Sequence, residues 1–210
     1  MSDILHISAS PNGIHSYSRR IGDALALRLA AASAGRVAER DLSEMRSASI
    51  NQAFVEASLS PADPRGPEQM AALALSEQLI GELERCTCLI LSTPMHNFTV
   101  PASLKTWLDL VLRPGRTFRG GPDGKTGLLA DRPVCLIVSS GGPLPSQPDW
   151  QADFLTPYLR YALACMGLRD VSVLYQENLR RGDEAWRRAQ QEAAQWLDRQ
   201  TARLTQARVC

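Results

Sequence analysis

At 210 residues, with 44% hydrophobic and 21% charged side chains, the chain has the makeup of an ordinary globular protein. It is long enough for one core that buries roughly 70–75% of its extended surface. A formal net charge of +1 gives no electrostatic reason to expect nucleic acid or an anionic membrane as partner, and no apolar run approaches the roughly 20 residues of a spanning helix. Asp3 and the lack of a basic n-region speak against a signal peptide, so the expectation is a cytoplasmic protein folding as one domain over 1–210.

The first apolar run, ILHIS at 4–8, suits a strand. After a polar turn, Ile21, Leu25 and Leu29 recur at i, i+4 and i+8. With Ser16 and Ser18 where an N-cap belongs, this predicts a helix over 17–33. The charged alternation of 36–43 suits an edge strand. Residues 46–66 carry no clear period, and Pro61, Pro64 and Pro67 suggest a loop there. Pro67 also suits the first turn of a helix over 67–85, with Met70, Leu73, Ile80 and Leu83 broadly on one face. TCLILST at 87–93 is an almost continuous apolar strand, the pattern of a strand covered on both faces. Pro101 opens the next helix, with Leu104, Leu108 and Val111 or Leu112 inward. GGPDGKT at 120–126 reads as a turn between strand-like arms. Its glycines are one residue too close for a phosphate-binding P-loop, and Pro122 removes a needed N–H. Further strands are predicted at 133–140 and 170–177, with a helix over 154–168 between them that is expected to be strained near Pro157. An amphipathic helix over 184–204 carries Trp186 and Trp196.

The cysteines are Cys86, Cys88, Cys135, Cys165 and Cys210. An odd number argues against a disulfide framework, and the C-x-C at Cys86 and Cys88 lacks a second pair or a nearby histidine for zinc. They read as buried small hydrophobes. His6, His15 and His96 are too scattered for a local ligand cluster. No structural metal is expected.

The pattern β-α-β-(α)-α-β-α-β-α-β-α argues for an α/β fold: an open five-stranded parallel sheet, doubly wound with helices on both faces. In such sheets ligands lie beyond the carboxyl ends of the strands, where strand order reverses. With the order 2-1-3-4-5, that switch falls between the strands at 4–8 and 87–93. The loops to watch are then 8–18, 93–101 and 139–148.

The first of these loops, SASPNGIHSYSRR, has no acidic residue and ends in Ser16 and Ser18 at a helix start, a setting for an anion; Arg19 and Arg20 add positive charge. It contains no G-x-G-x-x-G. The middle loop offers Asn97, donor and acceptor together, which suits the edge of a heterocycle with alternating C=O and N–H groups. Met95 and Phe98 supply adaptable and planar apolar surface, and Pro94 and Pro101 restrict the backbone at both ends. In the third loop, Gly141 and Gly142 let the backbone come close to a flat ligand. Taken singly, each loop also reads as a helix cap, a core plug or a plain turn.

In this order and spacing, SAS…SYS, PMHNFTVPASLKTWLDLVLRPGRTFR, SSGG and TPYL resemble the bacterial FMN-dependent NADH:quinone oxidoreductases, also called azoreductases. The P-M-x-N-F…P…L-K…D stretch is the specific part, and the likeness covers most of the chain. The resemblance implies a flavodoxin-like fold and a homodimer with one FMN per subunit at the subunit interface. NADH or NADPH would be the electron donor. A quinone or azo compound would take two electrons from the same pocket in a ping-pong exchange. By matched position, Ser10, Ser16, Tyr17 and Ser18 would hold the FMN phosphate. Pro94, Met95, His96, Asn97 and Phe98 would line the ring, and Ser139, Ser140, Gly141 and Gly142 would approach its other side. No side-chain nucleophile or general base is required, which fits the absence of a G-x-S-x-G elbow or a convincing triad.

Two departures stand out. The family usually has Tyr where this chain has His96. It also often has Arg-Gly-Gly followed two residues later by His, where this chain reads Ser140-Gly141-Gly142-Pro143-Leu144. Backbone groups carry many ring contacts, so FMN binding survives both changes, while substrate preference and flavin potential are open to them. Two other readings stay open: a flavodoxin-like single-electron carrier, for which the near-neutral charge is unusual, and an NAD(P)H-dependent flavin or chromate reductase. Arg19, Arg20 and Arg119 are the candidates to meet a 2′-phosphate.

Overall fold

Five strands make one sheet, and the alternation of all but the charged edge strand at 36–41 feeds two apolar cores, one on each face. The strands are β1 (Asp3–Ser8), β2 (Arg36–Asp41), β3 (Cys86–Pro94), β6 (Val134–Ser139) and β7 (Val171–Gln176), all parallel. The computed structural model describes residues 3–45, 49–60, 65–122, 124–143 and 152–206. Leu5, Ile7, Leu89, Leu91, Val134 and Leu136 point to one face, while Ile4, Cys88, Ile90, Cys135 and Ile137 point to the other. That is the period-2 consequence of burying a sheet on both sides. The first face packs against α2 (Gln52–Leu59), α3 (Pro67–Arg85), α4 (Ala102–Val111) and α5 (Leu155–Met166). The second packs against α1 (Tyr17–Ser33) and α6 (Asp183–Gln206), which meet through Ile21, Leu25, Leu29, Trp196 and Leu197.

The strands lie in the order β2-β1-β3-β6-β7. The numbering differs from the expected 2-1-3-4-5 because the arms about Pro122 form a separate antiparallel hairpin, β4 (Phe118–Gly121) with β5 (Gly124–Gly127), and take two numbers. Three further differences have physical reasons. α2 occupies part of the stretch read as a loop, tied down by Asn51, whose side chain accepts from Phe54 N at 2.9 Å, and by buried Phe54 and Ala57. Pro61 and Pro64 lie outside the described residues. Pro157 is the third residue of α5, where an N–H has no intrahelical acceptor to lose, so the helix runs on unbroken. Helix α4 starts after Pro101, which is its N-cap. No helix among the described residues is long and apolar enough to cross a membrane.

Cys86, Cys88, Cys135 and Cys165 are buried free thiols, and Cys210 lies outside the described residues. Burial pushes the Cys86 thiol up, and a hydrogen bond with Cys88 together with burial does the same to Cys135.

Beneath α1 the fold assembles a trio that sequence spacing hid. His6 Nδ1 lies 3.1 Å from Asp23 Oδ1, and His6 Nε2 lies 2.8 Å from Ser92 Oγ. The arrangement has the order of a Ser-His-Asp triad, yet Ser92 is fully buried and His6 is 2% exposed, so no substrate reaches it. It is a polar brace joining α1, β1 and β3, buried at His6 and Ser92. Gly22 makes room for it: a Cβ there would stand 2.2 Å from His6 Nε2 and 2.3 Å from Ser92 Oγ.

Candidate functional site

The carboxyl ends of β1, β3 and β6 stand side by side, so the loops that follow them form one wall system. Ala9 N donates to Ser92 O at 2.9 Å, Met95 N to Ser139 O at 2.8 Å, and Ser140 N to Gln176 O at 2.8 Å, which stitches the four strand ends together. Between the loops lies a cleft of about 420 Å³ lined by Asn12, Tyr17, Pro94, Met95, His96, Asn97, Ser139, Ser140, Gly141, Leu179 and Arg180. That volume is ordinary for a small-molecule site. A second cleft of about 400 Å³, between α1 and α6, shares Tyr17 with it. Its walls are helix sides, whereas the first cleft lies at the strand ends where open α/β sheets bind ligands.

The first wall is the N-terminus of α1. Ser16 caps the helix by accepting from Arg19 N at 3.3 Å, and its hydroxyl lies 3.2 Å from that of Ser18. Ser10 accepts from Asn12 N at 3.3 Å. Ser10, Ser16 and Ser18 are nearly fully buried, and none of them lines the cleft itself, where Tyr17 represents this wall. The amides of Tyr17 and Ser18 open the helix and have no intrahelical acceptor. With no acidic residue in the first turn, the positive end of the helix dipole faces outward uncompensated, which suits an anion with several oxygens. Arg19 is not available to such an anion: it is paired with Asp41 and, at 3.7 Å, with Glu39. Against the upward push of burial, hydrogen bonds from Ser43 and then from Arg19 hold the Asp41 carboxyl below its usual range. Arg20 lies over the Tyr17 ring, 5.1 Å from its centroid.

The second wall is a tight reversal. His96 N donates to Thr99 O at 2.9 Å and Thr99 N to His96 O at 3.0 Å, closing a two-residue turn. Asn97 and Phe98 both hold positive φ, 46° and 71°, as a primed hairpin turn demands. For Phe such backbone is unfavourable by about 1–3 kcal/mol, a kind of strain that clusters at ligand sites. The consequence is chemical: neither the Asn97 nor the Phe98 amide has a partner among the described residues, and Asn97 lines the cleft. The Phe98 ring is 52% exposed and stands outside the lining. Phe98 O accepts from Phe154 N at 3.1 Å, which fixes the turn to the start of α5. There Asp153 accepts from Leu155 N and Thr156 N at 2.9 and 2.8 Å.

The third wall is Ser139, Ser140 and Gly141. Gly142 lies behind it: its amide donates to Ser140 Oγ at 3.3 Å, and its carbonyl accepts from Asn178 N at 3.1 Å. Residues 144–148 of this loop, Leu144 among them, lie outside the described residues, as does Asp149. Leu179 and Arg180, which follow β7, complete the wall and were not anticipated. Both lie in the loop after β7, a strand that the sequence predicts, whereas the sequence reading of the site is confined to the loops after β1, β3 and β6. Asn12, also unanticipated, sits in the first loop.

The family model of the flavodoxin-like fold matches residues 2–200. The chain is 48% identical over 185 residues to FMN-dependent NADH:quinone oxidoreductase 2 of Cupriavidus pinatubonensis, covering 88% of this chain and 90% of that one. To FMN-dependent NADH:quinone oxidoreductase 4 of Pseudomonas fluorescens it is 44% identical, covering 95% and 96%. Among solved structures, an FMN-dependent NADH-azoreductase from Bacillus anthracis in complex with FMN superposes with a TM-score of 0.85 at 20% identity, over 98% of this chain and 100% of that one. The capped helix start, the primed turn and the paired glycines thus occur in a chain that belongs to the family of FMN-dependent NADH:quinone oxidoreductases.

Proposed function

We propose that the protein is an FMN-dependent NAD(P)H oxidoreductase that reduces quinones and azo compounds, and that the cleft at the strand ends is its FMN site. The observation that carries this reading is the Asn97–Phe98 turn, which leaves both its amides without a partner among the described residues and places Asn97 in one lining with Ser139, Ser140 and Gly141. The donor set fits FMN from end to end. Hydroxyls of Ser10, Ser16 and Ser18, with the amides of Tyr17 and Ser18, suit a phosphate dianion. Asn97 and the two turn amides suit the C=O and N–H edge of the ring. Met95, Pro94 and His96 offer it a face, with His96 as a polar wall. When bound, FMN supplies the two-electron chemistry, accepting a hydride from the nicotinamide donor and passing the electrons to the acceptor in a second step.

The chain's own contribution is positional and electrostatic. Strained backbone fixes the Asn97 and Phe98 amides in advance, so no reorganisation is needed when negative charge grows next to them. The brace of Asp23, His6 and Ser92 keeps α1 in register with β3, and so keeps the phosphate wall at a fixed distance from the ring wall. We read residues 1–210 as one domain working as a homodimer in the cytoplasm. Phe154 and Tyr161, exposed at 62% and 71%, run as a stripe from the cleft's rim along α5, and Phe98 adjoins them. Such a stripe beside the cleft suits a partner subunit that closes it.

The test uses the purified protein. It should be yellow, bleach with NADH in the absence of oxygen, recover colour on adding a quinone, and sediment at about twice its 23.0 kDa chain mass. A colourless protein that takes up no added FMN removes the reading. Bound FMN that NADH leaves oxidised favours the single-electron carrier instead.

Asn97 gives a finer test. Because alanine at its φ of 46° adds backbone strain, Asn97→Gly separates side chain from turn. Loss of its ring contact should raise the FMN dissociation constant roughly tenfold, the value of about one hydrogen bond, with unfolding midpoint unchanged. Equal FMN affinity in Asn97→Gly and wild type removes that side chain from the site.

A further inference from the structure

We propose that Arg180 holds the reduced cofactor more tightly than the oxidised one and thereby sets the potential at which the cleft works, an inference that rests on the cleft being the FMN site. The cleft's described lining contains one permanent cation, Arg180, and no carboxylate. Arg180 forms no ion pair with any described residue.

Its stem packs on the glycine wall, where a Cβ on Gly141 would meet Arg180 Cδ at 3.2 Å. Two backbone bonds anchor the segment: Asn178 N to Gly142 O at 3.1 Å and Leu179 N to Ser140 O at 3.3 Å. Asn178 itself takes a left-handed φ of 59°, which turns the chain back across the end of β6 immediately after β7. The guanidinium is therefore carried on fixed backbone to the rim of the wall, although Arg180 is exposed.

Two-electron reduction adds negative charge to the flavin, spread over N1 and the C2 carbonyl. A fixed cation at the rim favours that state over the neutral oxidised ring, and solvent screening keeps the effect moderate. The sequence resembles a family in which an arginine often precedes the paired glycines, and this chain has Ser140 there. Arg180 brings positive charge to the same wall from the neighbouring strand.

The experiment compares wild type with Arg180→Gln, Arg180→Lys and Arg181→Gln. Midpoint potentials of the bound cofactor are read against a reference dye, and the dissociation constant of oxidised FMN by fluorescence quenching. In Arg180→Gln, reduced FMN should bind tenfold to a hundredfold more weakly relative to oxidised FMN. That ratio is a fall in potential of about 30 to 60 mV for a two-electron couple. Oxidised FMN itself should shift less than about threefold. Arg180→Lys should retain most of the wild-type potential, and Arg181→Gln should keep all of it. An unchanged potential in Arg180→Gln with FMN still bound overturns the proposal and leaves the cofactor site standing. Equal weakening of both redox forms overturns it too, because Arg180 then merely holds the ligand. Wild-type protein that fails to quench FMN fluorescence overturns the site reading on which the proposal rests.

Discussion

Ser16→Asp is expected to abolish cofactor loading while leaving the helix that carries it intact. Aspartate caps a helix as well as serine, so the bond from Arg19 N is retained, although a carboxylate at this nearly buried position loses hydration that the serine hydroxyl does not. An anionic side chain at the start of α1 also interacts favourably with the helix dipole. The phosphate meets the opposite situation. Two like charges ~4 Å apart repel by roughly 4 kcal/mol at an effective dielectric of ~20. That corresponds to a rise of about three orders of magnitude in the FMN dissociation constant. Ser16→Ala should behave in the reverse sense, losing about 1 kcal/mol of stability with its cap but binding FMN far better than the aspartate variant. Fluorescence titration and urea denaturation of both variants measure the two effects separately. Wild-type affinity in Ser16→Asp would sink the placement of phosphate at this helix.

The second large effect is expected at Gly22, remote from the cleft. A methyl group there would stand 2.2 Å from His6 Nε2 and 2.3 Å from Ser92 Oγ, far inside contact distance. Neither partner yields freely, because His6 is held by Asp23 at one nitrogen and Ser92 at the other. Gly22→Ala should therefore destabilise the protein by about 3 kcal/mol or more. If the clash with the histidine is the cause, Gly22→Ala in a His6→Ala background should be milder. The double variant should then recover more than ~1 kcal/mol relative to the sum of the single changes. Strict additivity in a urea-denaturation cycle would show that the glycine matters for another reason.

Both sites are built on elements whose ends were legible beforehand, and the reasons are local. The helix expected over 17–33 is α1 residue for residue, because Ser16 is an N-cap that the sequence displays openly. Pro67 marked the start of α3 in the same way. β3 and β6 were legible as continuous apolar runs because both faces are covered. The three loops could be grouped from topology alone, since parallel strands place their carboxyl ends together. What escaped lacked a local signature. α2 is eight residues long and buries two of them, too little for a period to show. The partners His6 and Ser92 stand 86 residues apart, and no spacing rule links a strand interior to the end of another strand. Positive φ at a phenylalanine contradicts intrinsic preference, so the Asn97–Phe98 turn is a place where the sequence misleads until the His96 and Thr99 backbone bonds are seen. Arg180 is a different case: it follows the strand predicted at 170–177, which the expected order already sets beside the one at 133–140, but the sequence reading of the site is confined to the loops after the other strands.

The division of the helices between the two sheet faces has a consequence for how the chain is made. One face receives its covers as synthesis proceeds, with α2, α3 and α4 all following β1 and β2 closely. The other receives α1 early and then waits for the 24 residues of α6, which leave the ribosome after every strand. Until they arrive, Cys135, Ile137 and Leu174 lack the cover that Trp196, Leu197 and Leu204 provide in the native molecule. A nascent chain with its sheet complete therefore still presents an oily half-surface, a natural target for chaperones and a liability for products of premature termination.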